Sequence, residues 1–501
     1  MQKKDPLNPF RKLLGDTAIY GVSSIVGRFL NWWLVPYHAG IFRPDEYGVV
    51  SNLYGYVAFA IILLTYGMET GYFRFASKSE NRERVFSTSV ISLFSTTILF
   101  LLVLFFFRDP ISAIMQYGNH PEYVWWLALT VGIDAVTAIP FAQLRLQGRP
   151  IKFAVVKLVN IGFNIGFNLF FLSLCPWIVR HHPGSIITSF CDPSVGVGYV
   201  FIANLLASLS TLILLMPEIL AVKLQFDRSL FRMMISYSFP ILVIGLAGMV
   251  NQNIDKILIP FLIPAEKDPM FQLGIYGANY KLGVLMNMFI QAFRYAFEPF
   301  FFGRSSVESP DDPSIYAVVM KYFILFGLLI FLGMTLYIDL VKLLIPPEYH
   351  PGLKVVPLIL MADLFFGIFF SASIWYKLKD KTWYGAYIAL VGAAITLLLN
   401  ILLIPVIGYM GSAITVFVCF FIMMVINYFW GQKYYPIPYD LKRIGLYFAS
   451  AVILFILSLG TAQLTPFLKF TINSLMLIFF MGMVFLLEKR EIFAILKKKK
   501  G

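Results

Sequence analysis

The residues of this chain that could do chemistry are ionisable side chains lying deep inside long apolar stretches. Arg28 is the clearest, because the nearest charges along the chain are Asp16 and Arg43. A charge at the centre of a membrane helix costs about 2.5–3.5 kcal/mol on insertion scales, so it normally faces a partner or a water-filled cavity. A second set runs Asn251-Gln252-Asn253-Ile254-Asp255-Lys256. At helical spacing Asn251 and Asp255 share one face, and Gln252 and Lys256 share the next. A third is a stripe in steps of three and four, Tyr280, Val284, Asn287, Gln291, Arg294 and Glu298, with Lys281 beside it. A polar stripe on an apolar helix is what a cavity wall needs, although Arg294 and Glu298 are also spaced to pair with each other. Asp134 and Asp363 are single acids in apolar surroundings. Each suits a proton or sodium carrier, or a structural counter-ion to Arg28, Lys256 or Lys281, and the sequence leaves that choice open. The deep cations Arg28, Lys256, Lys281 and Arg294, set against Asp134, Asp255, Glu298 and Asp363, suit a substrate carrying phosphate or carboxylate. Lys157 and Lys321 lie nearer the ends of their stretches and read as snorkelling. Glu69 reads as structural.

Membrane helices must position these residues. The 501 residues are 59% hydrophobic and only 13% charged, whereas a soluble domain carries about 25% charged residues. Such a chain cannot cover a water-facing surface, and apolar stretches of about 20 residues recur along its length. The expected fold class is all-α, a polytopic membrane protein of about fourteen transmembrane helices. The spans read 16–40, 47–71, 84–107, 123–146, 152–174, 196–217 and 231–263, then 273–303, 314–345, 353–377, 381–404, 409–432, 441–463 and 467–487. Spans 7, 8 and 9 exceed what a bilayer needs, so tilt or kinks are expected, with Pro240, Pro260 and Pro299 as kink sites. The basic segment Met1–Lys12 lacks the short apolar region and cleavage site of a signal peptide, so the first span is expected to act as the targeting signal.

Lysine and arginine set the orientation. With the N-terminus in the cytoplasm, 27 basic residues fall inside and seven outside, with six more within the spans. Both termini are therefore expected in the cytoplasm. This distribution also explains the net charge of +13 without nucleic acid, and the Lys497–Lys500 run is expected to touch anionic headgroups. A faint internal echo links Arg28 to Pro36 and Glu46-Tyr47-Gly48 with Asp255-Lys256 to Pro260 and Ile275-Tyr276-Gly277. Such a repeat predicts two six-helix lobes, 1–218 and 219–433, related by an axis along the membrane normal. Residues 434–501 would add two helices and a basic cytoplasmic tail.

Enzyme signatures are missing: no Walker sequence, HExxH, CxxC pair or GxSxG occurs. His181-His182 lies near Cys175 and Cys191, but a disulfide between the two cysteines is favoured over a metal site, since both fall on the oxidising side. Cys419 reads as a small core residue. No metal or cofactor is expected. Asp45-Glu46 would be the residues a membrane glycosyltransferase reading seizes, but the loop 41–46 is too short to enclose donor and acceptor sugars.

Four stretches carry a resemblance. They are Gly27-Arg28-Phe-Leu with Val35-Pro36 and Asp45-Glu46-Tyr47-Gly48; Gly67-Met-Glu69-Thr-Gly-Tyr-Phe-Arg74; Asn253-Ile-Asp255-Lys256 with Gly274-Ile-Tyr276-Gly277; and Leu399-Asn400 through Pro405-Val-Ile-Gly408-Tyr-Met-Gly411. In this order they resemble the polysaccharide-exporter branch of the multidrug/oligosaccharidyl-lipid/polysaccharide flippase superfamily. The resemblance implies two lobes around a central cavity and alternating access. The implied cargo is an oligosaccharide on undecaprenyl pyrophosphate, moved across a bacterial inner membrane for O-antigen, capsule or exopolysaccharide. The residue pattern read above then makes Arg28, Lys281, Arg294, Asn287 and Gln291 the expected cavity residues, with Asp255, Lys256, Asp134, Glu298 and Asp363 balancing charge or coupling to Na+ or H+. Membrane lipids, a polysaccharide polymerase and other assembly proteins are the implied partners. Lipid II and drug-exporting branches of the superfamily are the alternatives.

Overall fold

A computed structural model describes residues 21, 25–182, 184–223, 225–304, 313–379 and 381–498, with side chains left aside at 295–304 and beyond 489. The start of predicted span 1, the basic Met1–Lys12 segment, the end of the Lys497–Lys500 run and the Glu298 side chain therefore lie outside the described residues. The described residues are helical throughout, without strands. Twelve helices among them are long and apolar enough to cross a membrane. This is a multi-pass membrane protein.

Contacts group the chain into two compact units, Met1–Ala278 with Ala389–Thr415, and Asn279–Ile388 with Val416–Gly501. This grouping by contacts is a different division from the repeat-based one at residues 218 and 433.

The first unit begins with a helical stretch at 25–32 (α1) and α2 (Leu34–Ile41). They part at Trp33, as Pro36 requires: its ring blocks the carbonyl four residues back and removes one ladder bond. Then follow α3 (Pro44–Thr65), α4 (Met68–Lys78), α5 (Arg82–Phe106), α6 (Arg108–Ile114), α7 (Pro121–Leu146) and α8 (Pro150–Leu169). A π-helical turn at Phe170–Leu174 joins α8 to α9 (Cys175–His181), and α10 (Gly198–Leu220) and α11 (Arg228–Leu262) complete the main run. Helix α10 packs on α7 and α8, and α3 packs on α7 and α11. Predicted span 2 is two helices, broken where Tyr66 and Gly67 take positive φ, 35° and 71°.

Predicted span 8 is also broken. It forms α12 (Pro269–Leu282) and α13 (Val284–Arg304), parted at Gly283, whose N–H bonds to the Tyr280 carbonyl at 3.1 Å. A Cβ at Gly283 would meet the Ile359 side chain at 2.9 Å, so the glycine is required by close approach to the following helices. This break, together with the part of span 1 outside the described residues, separates the twelve spans among the described residues from the fourteen expected.

The second unit is built on α14 (Ser314–Leu336), with α15 (Ile338–Val341), α16 (Val356–Ala372) and α17 (Ile374–Leu378). Helices α18 (Trp383–Ile407) and α19 (Tyr409–Tyr434) each contribute to both units. The last two, α20 (Leu441–Leu459) and α21 (Pro466–Lys498), pack on α14 and on each other. On the side where α14 ends, Asp339 accepts from Lys342 at 2.6 Å and Lys469 at 2.5 Å. Those hydrogen bonds hold its carboxyl below the usual carboxylate range.

Candidate functional site

The polar run in the middle of α11 is a junction. Asp255 is buried and accepts from the Tyr276 hydroxyl at 2.5 Å, the Lys256 amide at 2.9 Å and the Lys256 ammonium at 3.3 Å. Lys256 Nζ also donates to the Gln252 carbonyl at 2.9 Å. Asn251 is buried as well, donating to the Ala389 carbonyl and accepting from Thr396 Oγ1. The Asn251 and Asp255 face is thus the packed face of the helix.

Pro260 explains another bond. A proline has no N–H, so the carbonyl four residues earlier, that of Lys256, loses its ladder partner. Asn52 Nδ2 on α3 donates to that carbonyl at 2.7 Å, and the Tyr117 hydroxyl donates to Asn52 Oδ1 at 2.9 Å. Sequence inspection alone does not find Asn52; its signal is a buried amide opposite a proline kink.

The echoed Tyr-Gly pairs meet each other. A Cβ at Gly274 would lie 1.6 Å from the Pro44 carbonyl oxygen, one at Gly48 would lie 2.1 Å from that of Met270, and one at Gly277 would lie 2.2 Å from Ser51 Oγ. The start of α3 and the body of α12 therefore touch backbone to backbone. In the Leu399–Gly411 stretch, Gly408 takes φ +61° at the turn, where Gln272 Oε1 accepts from the Tyr409 amide at 3.3 Å.

Arg28 has a different setting. It is exposed on α1 and forms no ion pair with any described residue. The helix beside it is α8: a Cβ at Gly27 would lie 2.6 Å from the Ile161 side chain, and Asn164 donates to Asn31 Oδ1 at 3.3 Å. Lys157 of α8 interacts electrostatically with Arg28, Asp134 and Arg145, and places its ammonium 4.5 Å from the centre of the Phe141 ring. Lys157 thus lies close enough to Arg28, Arg145 and Asp134 for their charges to act on one another. Lys157 is exposed, as a snorkelling lysine would be.

In the second unit, Lys281 is half-buried on the last turn of α12, and Asn287, Gln291 and Arg294 are half-buried on α13. The Arg294 guanidinium lies 3.7 Å from the centre of the Phe370 ring. Asp363 is buried within α16. These residues fall in a different compact unit from Arg28, Asp134, Asp255 and Lys256.

Lys321 is corrected by the structure. It is 5% exposed instead of reaching for the interface, and it pairs with the fully buried Glu488 at 2.6 Å. The Tyr447 hydroxyl donates to the same carboxylate at 2.5 Å, and Arg443 lies at 3.4 Å. Glu69, by contrast, pairs with Arg145 from the first turn of α4. Cys175 and Cys191 form a disulfide with a Cα–Cα distance of 5.6 Å, and Cys419 is buried. Among the described residues no group of three His, Cys, Asp or Glu side chains is placed to hold a metal.

A sequence model of the family described as "Polysaccharide biosynthesis protein" matches residues 39–346. No curated protein sequence matches the chain. Among solved structures, the chain resembles the lipid II flippase MurJ in an inward closed conformation, with TM-score 0.70 and 12% identity over 93% of this chain and 99% of that one. It also resembles an inward-facing multidrug resistance MATE family transporter of the MOP superfamily, with TM-score 0.64 and 12% identity over 82% and 97%. A MOP superfamily transporter from Pyrococcus furiosus matches with TM-score 0.52 and 12% identity over 84% of this chain and 95% of that one. At these identities the likeness is one of fold.

Proposed function

The chain belongs to the polysaccharide biosynthesis protein family, and from that premise we propose that it is a flippase for lipid-linked oligosaccharide. The cargo is a sugar repeat unit on undecaprenyl pyrophosphate, for O-antigen, capsule or exopolysaccharide. It passes from the cytoplasmic to the outer leaflet of a bacterial inner membrane by alternating access of two lobes. The fold shared with flippases and transporters supports a transport role.

The observation that carries the reading is Arg28, exposed and without an ion pair among the described residues, beside Lys157. A guanidinium presents a donor fork that matches phosphate oxygens, and a deep one needs an anion or water to offset its cost. Lys281, Arg294, Asn287 and Gln291 line the path of the same cargo. Asp134, Glu298 and Asp363 balance charge or couple to Na+ or H+, and Asp255 balances Lys256. Both termini lie in the cytoplasm, following the 27-to-7 distribution of basic residues. A polymerase and other assembly proteins receive the product. A cation-coupled drug exporter is less well supported, because the Asp255 carboxylate is occupied by Tyr276 and Lys256.

Reconstitution tests the assignment. Vesicles containing the protein should move a pyrophosphate-linked oligosaccharide to the opposite leaflet faster than protein-free vesicles, read by an impermeant reagent that modifies the sugar. Equal rates with and without protein, in samples shown to be folded, would remove the assignment.

A further inference from the structure

The helical run from Pro150 to His181 is 32 residues long, well beyond the roughly 20 that a bilayer needs. From Pro150 to Cys175 it rises about 38 Å at 1.5 Å per residue, against a hydrocarbon core of about 30 Å. Cys175 thus stands at headgroup level if Pro150 marks the opposite boundary. The disulfide to Cys191 brings the returning chain back to that same level, with the two Cα atoms 5.6 Å apart.

The loop so closed is not polar all round. Ile186 is 82% exposed, Phe190 71% and Trp177 50%. Ile186–Phe190 is a single 3-10 turn whose start is fixed by Ser185, its hydroxyl accepting from the Ile187 amide. The Trp177 ring stacks on His181 at 4.9 Å between centroids, which leaves the polar His181 and His182 around the indole. The apolar exposure continues that of the span below, where Leu169 and Leu174 are also exposed. A tryptophan between an apolar span and a polar end is the side chain that settles at a membrane interface.

We propose that the loop Cys175–Cys191 is an interfacial foot, with Ile186 and Phe190 inserted at the headgroup–acyl boundary of the lipid leaflet on its own side. The partner is the bilayer itself. The disulfide sets the depth, since without it the turn could stand off in water. On the orientation proposed above that leaflet is the outer one, but the insertion does not depend on orientation or on the transport reading.

Site-directed spin labelling in lipid nanodiscs tests it, with nitroxides placed singly on Ile186→Cys, Phe190→Cys and, as a polar control, His182→Cys. The native disulfide is verified by mass spectrometry in each variant. The labels at 186 and 190 should collide with oxygen in preference to a water-soluble nickel chelate, and the label at 182 should do the reverse. Nickel access at 186 and 190 equal to that at 182 would overturn the proposal, because the loop would then stand in water. Shielding accompanied by dipolar broadening between labels would also overturn it, in favour of a second copy of the chain as the occupant.

Discussion

Two lysine pairs with buried carboxylates are built on different plans. Lys256 and Asp255 are neighbours in the chain, and the carboxylate finds its third partner in Tyr276, 21 residues on. Lys321 and Glu488 are 167 residues apart, and their cluster draws on α14, α20 and α21. The first pair sits in a polar run that announces itself in the sequence. The second joins a lysine and a glutamate each placed near the end of an apolar stretch, where a charge normally needs no partner. Proximity to a span end is therefore a poor guide to burial when further helices pack over that end. Arg28 differs from both lysines: it is exposed and forms no ion pair with a described residue, although its charge acts on Lys157.

The comparison can be broken most forcefully at Glu488. Removing one partner of a buried pair leaves an uncompensated charge, which costs about 3–5 kcal/mol. Glu488→Ala should therefore lower thermal stability in detergent strongly, while Lys321→Met with Glu488→Gln should recover most of the loss. If the single and double variants melt together, Lys321 finds water when its partner is removed, and the burial account fails.

A smaller effect sharpens the other side. Asn52→Ala should leave the Lys256 carbonyl without a donor, at a cost of about 1–3 kcal/mol. Adding Pro260→Ala returns an N–H to the helix ladder one turn on, so it should restore stability to the Asn52→Ala chain. Failure of that rescue would show that Asn52 acts through Tyr117 and the loop beyond α6, not through the proline-vacated carbonyl.

Much of the architecture was legible because hydropathy acts over whole spans. The glycine motifs were legible too, as Gly48, Gly274 and Gly408 occupy positions where a side chain meets backbone or a neighbouring amide. The break at Gly283 was not, because 273–303 stays apolar on both sides of it and a single glycine does not interrupt a hydropathy window. Of the candidate site, the polar run of α11 was legible as polar, but which face packs depended on Tyr276, Ala389 and Asn52, far apart in the chain. The nearness of Arg28 to α8 was not legible, because it arises from the packing of α1 on α8, a contact between helices that no local pattern encodes.

The central claim is that Arg28 meets the pyrophosphate of the cargo and does not merely neutralise a protein acid. The measurement is surface polysaccharide in cells that depend on this chain, with protein level followed in parallel. Arg28→Ala should abolish export at near-normal protein level, and Arg28→Lys should impair it although the charge is kept, because an ammonium lacks the donor fork. Restored export in Arg28→Ala with Asp134→Asn would contradict the account, since it would mean that Arg28 serves only to balance that carboxylate.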